Sequence, residues 1–98
     1  EEAYEQAIGA YDQAKEQDPD SPYVALNRAN ALYRNEKFSD SIEAYEKAVQ
    51  QSLDQGRADL ETAGRYNLGN ALYKQGEQMA EQNPQGAIEM LGKAVRSP

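Results

Sequence analysis

The 98-residue sequence contains no cysteine, no histidine and no tryptophan. Without histidine, no side chain ordinarily titrates near neutral pH, and the usual general base and commonest metal ligand are both missing. Without cysteine there is no thiolate nucleophile, no zinc-thiolate site and no disulfide, an absence compatible with any compartment. Cations are scarce too: ten Lys and Arg stand against 17 Asp and Glu, a formal charge of -7. Such a surface repels nucleic acid and anionic lipid, so no nucleic-acid partner is expected. No apolar run approaches the roughly 20 residues that span a bilayer, so no direct membrane insertion by this segment is expected. Cytoplasmic and periplasmic locations both remain open. No stretch alternates apolar and polar residues over the length of a strand, and β-branched residues are few and scattered.

What is present is helical periodicity. Ala3, Tyr4, Ala7, Ile8, Tyr11 and Ala14 recur at three- and four-residue steps and predict an amphipathic helix from Glu1 to Gln17. Asp18-Pro19 closes it, while Ser21 as N-cap and Pro22 at the first helical position open a second helix that runs to about Asn35. A short turn at Glu36 and Lys37 leads into a third from about Ser39 to beyond Gln51, with Ile42, Tyr45, Ala48 and Val49 on one face. Gly56 suits a C-terminal cap, and a fourth helix begins near Ala58. Asn83-Pro84 then starts a fifth through Ile88, Leu91, Ala94 and Val95. The expectation is an all-α chain of about five helices forming one domain, which at this length buries only roughly two thirds of its unfolded surface.

The helices repeat. Asn27 to Glu36, NRANALYRNE, returns in altered form as Asn67 to Gly76, NLGNALYKQG, each with two asparagines three apart, then Ala-Leu-Tyr and a cation. Ala7-Ile8, Tyr11 and Ala14 reappear 34 positions on as Ser41-Ile42, Tyr45 and Ala48, and a further 46 on as Ala87-Ile88, Leu91 and Ala94. The excess of twelve divides into six residues between the third and fourth helices and six between the fourth and fifth. A repeated unit of this size leaves an apolar face for its neighbour to cover, so repeats stack.

A 34-residue helix-turn-helix unit with these residues resembles the tetratricopeptide repeat over nearly the whole chain. Leu68-Gly69, Leu72, Ala87 and Leu91 stand at signature places, as do Ala29, Leu32, Ser41, Tyr45 and Ala48 one unit earlier, and Ala7, Tyr11, Ala14 and Pro19 before them. Ala25 and Arg65 occupy the tryptophan place, and Arg28 a core leucine place. The resemblance implies a tetratricopeptide-like right-handed α-solenoid of antiparallel helix pairs with two six-residue insertions. It divides the single domain 1–98 into the second helix of a truncated repeat (1–21), a repeat (22–55) and a repeat with an extended turn (56–98). Regular superhelical geometry is expected to fail around residues 50–60 and 76–86. The stretch GEQMAEQNPQGAIEMLGKAV is similar to tetratricopeptide segments of bacterial Bat-type proteins linked to aerotolerance operons, which would make the parent protein bacterial and membrane-associated or periplasmic. Opening on Glu1 is what a segment of a longer chain would do, and its ends are then expected to expose apolar surface and permit self-association.

In this family the first helix of each pair lines a concave groove that takes an extended or helical peptide. By resemblance the groove residues are Tyr23, Leu26, Asn27, Asn30, Tyr33 and Arg34, then Ala63, Tyr66, Asn67, Asn70, Tyr73 and Lys74. The peptide-binding set is Asn27, Asn30, Tyr33, Arg34, Tyr66, Asn67, Asn70, Tyr73 and Lys74. Asn donates and accepts at once, which matches a peptide backbone, and Tyr offers contact area at low entropic cost. The plainer reading is that the asparagines bridge neighbouring helices and the tyrosines belong to the core. Residues 22–35 and 62–76 contain Arg28, Arg34, Arg65 and Lys74 but no acid, which predicts a neutral-to-basic groove and an acidic protein or peptide partner. Asn30 and Asn67 match the asparagines of the family subtype that clamps a C-terminal carboxylate, but Leu26 stands where its first lysine belongs, so no such clamp is expected. Asp18 and Asp20 lack the further ligands of a calcium loop, and Gly64 and Gly69 lack the strand-glycine-helix setting of a phosphate loop. No catalytic residue, metal site or cofactor is expected, and the reading is of a protein-interaction module, not an enzyme. The alternative is a structural scaffold or homo-oligomerisation segment with no separate peptide ligand.

Overall fold

A computed structural model describes residues 2–82 together with 84, 85 and 92. The fifth helix expected through Ile88, Leu91, Ala94 and Val95 lies outside the described residues. Within them the chain forms four helices and no strand: α1 (Glu2–Gln17), α2 (Pro22–Arg34), α3 (Phe38–Asp54) and α4 (Ala58–Gln82). Each packs against its neighbours in the chain, and α2 also meets α4 directly. The intervening turns are so short that consecutive helices run antiparallel. None of the four is long and apolar enough to cross a membrane.

The helix ends follow local chemistry. Ser21 is the N-cap of α2, its hydroxyl accepting from the Val24 N–H at 3.2 Å, and Pro22 sits where a missing N–H costs nothing. The ends of α2 and α3 are built alike. At the first, Glu36 N–H donates to Tyr33 O and Lys37 N–H to Leu32 O; at the second, Gly56 N–H donates to Leu53 O and Arg57 N–H to Ser52 O. Both are paired six-to-one and five-to-two closures that require one left-handed residue. Gly56 takes it at φ 68 without a Cβ penalty, whereas Glu36 takes it at φ 59 with one. Gln51 of α3 and Gln55, its C-cap, hold the α1–α2 turn by donating to the backbone oxygens of Pro19 and Asp20.

The core is the seam where α2, α3 and α4 meet. Leu26, Ala29, Leu32, Ala44, Tyr45, Ala48 and Ala71 form one buried cluster, with Ile8, Ala25, Ile42, Leu60, Ala63 and Leu68 packed on its margin. Three small residues are fully enclosed, Ala29, Ser41 and Ala71, and this is what lets the helices approach. Ser41 tolerates burial because its hydroxyl donates to Phe38 O at 2.8 Å. Gly64 is tighter still, since a Cβ there would lie 2.9 Å from Val49 Cγ2.

Two departures from the repeat pattern acquire causes. Arg28 replaces a core leucine because it pairs with Asp12 of α1 at 2.6 Å, and Arg65 pairs with Glu61 one turn back at 2.9 Å. The insertions do not form loops. From Asn30, α2 ends at Arg34, but from the equivalent Asn70, α4 continues to Gln82. The earlier insertion is absorbed by a longer end of α3 and an earlier start of α4, because the turn at 55–57 is as short as that at 35–37. Helix extension satisfies every added peptide group within the helix, which a loop of six would not.

Candidate functional site

The asparagine-bearing face of α2 and of α4 is polar, but Leu26 and Ala63, also predicted for the groove, lie in the buried core and on its margin. On α2, Asn27, Asn30 and Arg34 follow helical spacing, and on α4, Asn67, Asn70 and Lys74 do the same, so each helix turns one polar stripe away from Ala29, Leu32, Ala71 and Leu72. Two open cavities lie along these stripes. The smaller, about 230 Å³, is lined by Asn30, Tyr33, Arg34, Tyr45, Asn67 and Asn70. The larger, about 570 Å³, is lined by Tyr33, Arg34 and Lys74 together with Glu36, Phe38, Glu77, Gln78 and Glu81. Tyr33 and Arg34 line both, so the two adjoin as halves of one depression. Its aromatic wall is set by Tyr33 packing edge-on to Phe38 with ring centroids 5.4 Å apart.

The predicted residues divide by role. Asn70, Arg34, Tyr66, Tyr73 and Lys74 are exposed, the two tyrosines at 69% and 52%, but Tyr66, Tyr73 and Asn27 line neither cavity. Asn27 is half-buried one turn before Asn30. Asn30 and Asn67 are tied to each other: Asn67 Nδ2 donates to Asn30 Oδ1 at 3.2 Å, and the Tyr45 hydroxyl donates to the same oxygen at 2.5 Å. These two asparagines therefore bridge α2 to α4 and α3 while still lining the smaller cavity, which merges the two readings their sequence allowed.

Electrostatics differ between the halves. Arg34 is the one charged side chain lining the smaller cavity, and among the described residues it makes no ion pair, so this half is neutral-to-basic. The larger half departs from that expectation. Lys74 pairs with Glu77 at 3.4 Å, and Glu36 and Glu81 add two further carboxylates. The acid-free stretch ends with the repeat at Gly76, but α4 runs on for more than a turn and brings Glu77 and Glu81 round to the same face. Reading α4 as unbroken across Gly76 would have found them. The role of Tyr45 is hidden from the sequence for a different reason. Its spacing marks a core position, and its ring is indeed 1% exposed, but its hydroxyl reaches through to the groove. Burial, with Tyr33 adding to it, pushes the Tyr45 hydroxyl well above its ordinary value, so it stays protonated and donates.

Among the described residues no three acidic side chains gather as a metal would require. A family model described as tetratricopeptide repeat matches residues 1–58 and again residues 26–96. Residues shared by the two matches, 26–58, serve as the later part of one and the earlier part of the other, as tandem units do. Searches of curated proteins and of solved structures return no significant match, so the narrower likeness to Bat-type proteins rests on the sequence alone.

Proposed function

The chain belongs to the tetratricopeptide repeat family, and on that premise we propose that it is a protein-interaction module that takes a peptide or helix of a partner in the depression between α2 and α4. Repeats of this family mediate protein-protein interaction and scaffolding, so the general role follows from membership. The particular surface is supported by one observation above others. Asn30, Arg34, Asn67, Asn70 and Lys74 of the two asparagine motifs line adjoining open cavities, while the alternating apolar positions are buried. Tyr66 and Tyr73 supply rigid contact area, Asn70 supplies both donor and acceptor, and Arg34 supplies charge for an acidic group of the ligand. In this reading α2 and α4 are the first helices of two successive repeats in a right-handed solenoid, and α3 backs the groove.

Selection of displayed random peptides against the chain, followed by fluorescence anisotropy of the enriched peptides, tests the proposal. Peptides that bind wild type are expected to lose at least roughly tenfold in affinity to a chain carrying Asn70→Ala and Tyr73→Ala, an interface loss of ordinary size for an aromatic anchor. Both side chains are exposed, so the variant folds. Enriched peptides that bind the double variant as well as wild type would refute the assignment of this surface.

A further inference from the structure

Asn30 stands where three helices meet, and its side chain is not free to present either end to a ligand. The amide oxygen accepts from Tyr45 of α3 at 2.5 Å and from Asn67 of α4 at 3.2 Å, which uses both acceptor positions of an amide carbonyl. Rotating the amide by half a turn would set Asn30 Nδ2 against Asn67 Nδ2, donor against donor. It would also deprive the Tyr45 hydroxyl of the acceptor it uses, in a residue 1% exposed, and a buried donor without an acceptor is costly. The hydroxyl cannot escape that cost by ionising, because burial holds its proton in place. Asn30 Nδ2 donates to no other protein group among the described residues. Arg34, which can only donate, lines the same cavity.

We propose that Tyr45 and Asn67 are positioning residues that lock Asn30 as a one-way donor, so that the groove takes a hydrogen-bond acceptor at this point, a carboxylate or carbonyl oxygen, and rejects a donor. The inference rests on the reading of the depression as a binding surface. A freely rotating asparagine pairs with a peptide backbone in either direction and carries little selectivity. A locked one, beside Arg34, discriminates: a ligand ammonium or amide N–H placed there meets donors on two sides. Specificity in this groove is thus written partly by a core tyrosine whose ring stays buried.

The test uses small probes whose hydrogen-bonding character is unambiguous. The 15N-labelled chain is titrated at constant ionic strength with sodium acetate, with N,N-dimethylacetamide, which only accepts, and with methylammonium chloride, which only donates. In wild type, acetate and dimethylacetamide are expected to move the Asn30 side-chain amide resonances saturably, and methylammonium is not. A stronger response to acetate assigns the acceptor as a carboxylate, and equal responses assign it as a neutral carbonyl. Asn30→Asp keeps both internal hydrogen bonds and the fold but replaces the donor by an oxygen. Read at the Asn67 side-chain amide, its affinity for acetate should fall roughly tenfold or more, as loss of a charge-assisted hydrogen bond predicts, and a methylammonium response should appear. Tyr45→Phe, which keeps the packed ring, should weaken acetate about threefold to tenfold by releasing the amide. Wild-type responses that are equal for acetate and methylammonium, or an Asn30→Asp chain that binds acetate as wild type does, would overturn the proposal. Acceptor selectivity without any peptide binding would instead defeat the groove reading and leave this one standing.

Discussion

At Gly64 two residue-level effects oppose each other. Alanine would favour the helix by about 1 kcal/mol through reduced chain entropy. Its Cβ, however, would lie 2.9 Å from Val49 Cγ2. Val49 is buried and β-branched, so in a helix it has one strongly preferred rotamer and cannot turn away. Overpacking of this kind costs about 1–3 kcal/mol, and the net prediction is that Gly64→Ala lowers Tm by roughly 5 °C in thermal unfolding. Glu36 presents the converse case. It holds a left-handed conformation that Gly56 holds at the equivalent turn without strain, so Glu36→Gly should stabilise by about 0.5–1 kcal/mol in urea unfolding. Tyr45 gives a pH dependence with a definite sign. Its folded pKa is raised above the ordinary 10.0, so its contribution is complete below pH 10 and is lost as pH rises beyond it, where the unfolded chain ionises and the folded one resists. Denaturation at stepped pH should show wild type more stable than Tyr45→Phe by ~1 kcal/mol at neutrality, with the two curves converging above about pH 10.

At the scale of elements, the most consequential feature is that α4 is 25 residues long against 13 in α2. Counting between repeated motifs locates where residues were added, but the count cannot distinguish a lengthened helix from a loop. The distinction lies in chemistry that the motif does not display. Residues 77–82 contain no proline or glycine and are rich in Glu and Gln, good helix formers that carry α4 through Gly76. Gln75 then pins the extension to α3 by donating to the Ser39 hydroxyl at 2.6 Å. Other element-level signals were fully legible: the Ser21-Pro22 start and the Gly56 stop each name a backbone position with one physical solution. Because the extension brings Glu77 and Glu81 to the depression, it acts on ligand choice as well as on packing. Glu77→Gln with Glu81→Gln should raise affinity for acidic peptides about twofold to fivefold at low salt, with the gain shrinking in 0.5 M salt, about where screening spans one contact.

For the whole molecule, fold and site differ in how far the sequence discloses them. Ala29, Ser41, Ala48 and Ala71 are small because helices cross there, and all four are essentially fully buried. Packing of this kind leaves a periodic trace, which is why the repeat family can be read from a single chain. The site leaves a weaker trace. Exposed Asn70, Tyr73 and Lys74 follow from the stripe opposite the core, but the pairing of Asn30 with Tyr45 and Asn67 spans three helices and depends on side-chain directions that spacing alone does not specify. The central claim is that a partner peptide sits between α2 and α4, and chemical-shift mapping of backbone and side-chain amides with a bound peptide measures this most directly. Shifts are expected to concentrate at Tyr33, Arg34, Asn67, Asn70 and Lys74, which line the depression, with Lys15 and Lys47, which face each other across α1 and α3, unmoved. Shifts centred on Lys15 and Lys47, with the α2–α4 depression silent, would contradict it.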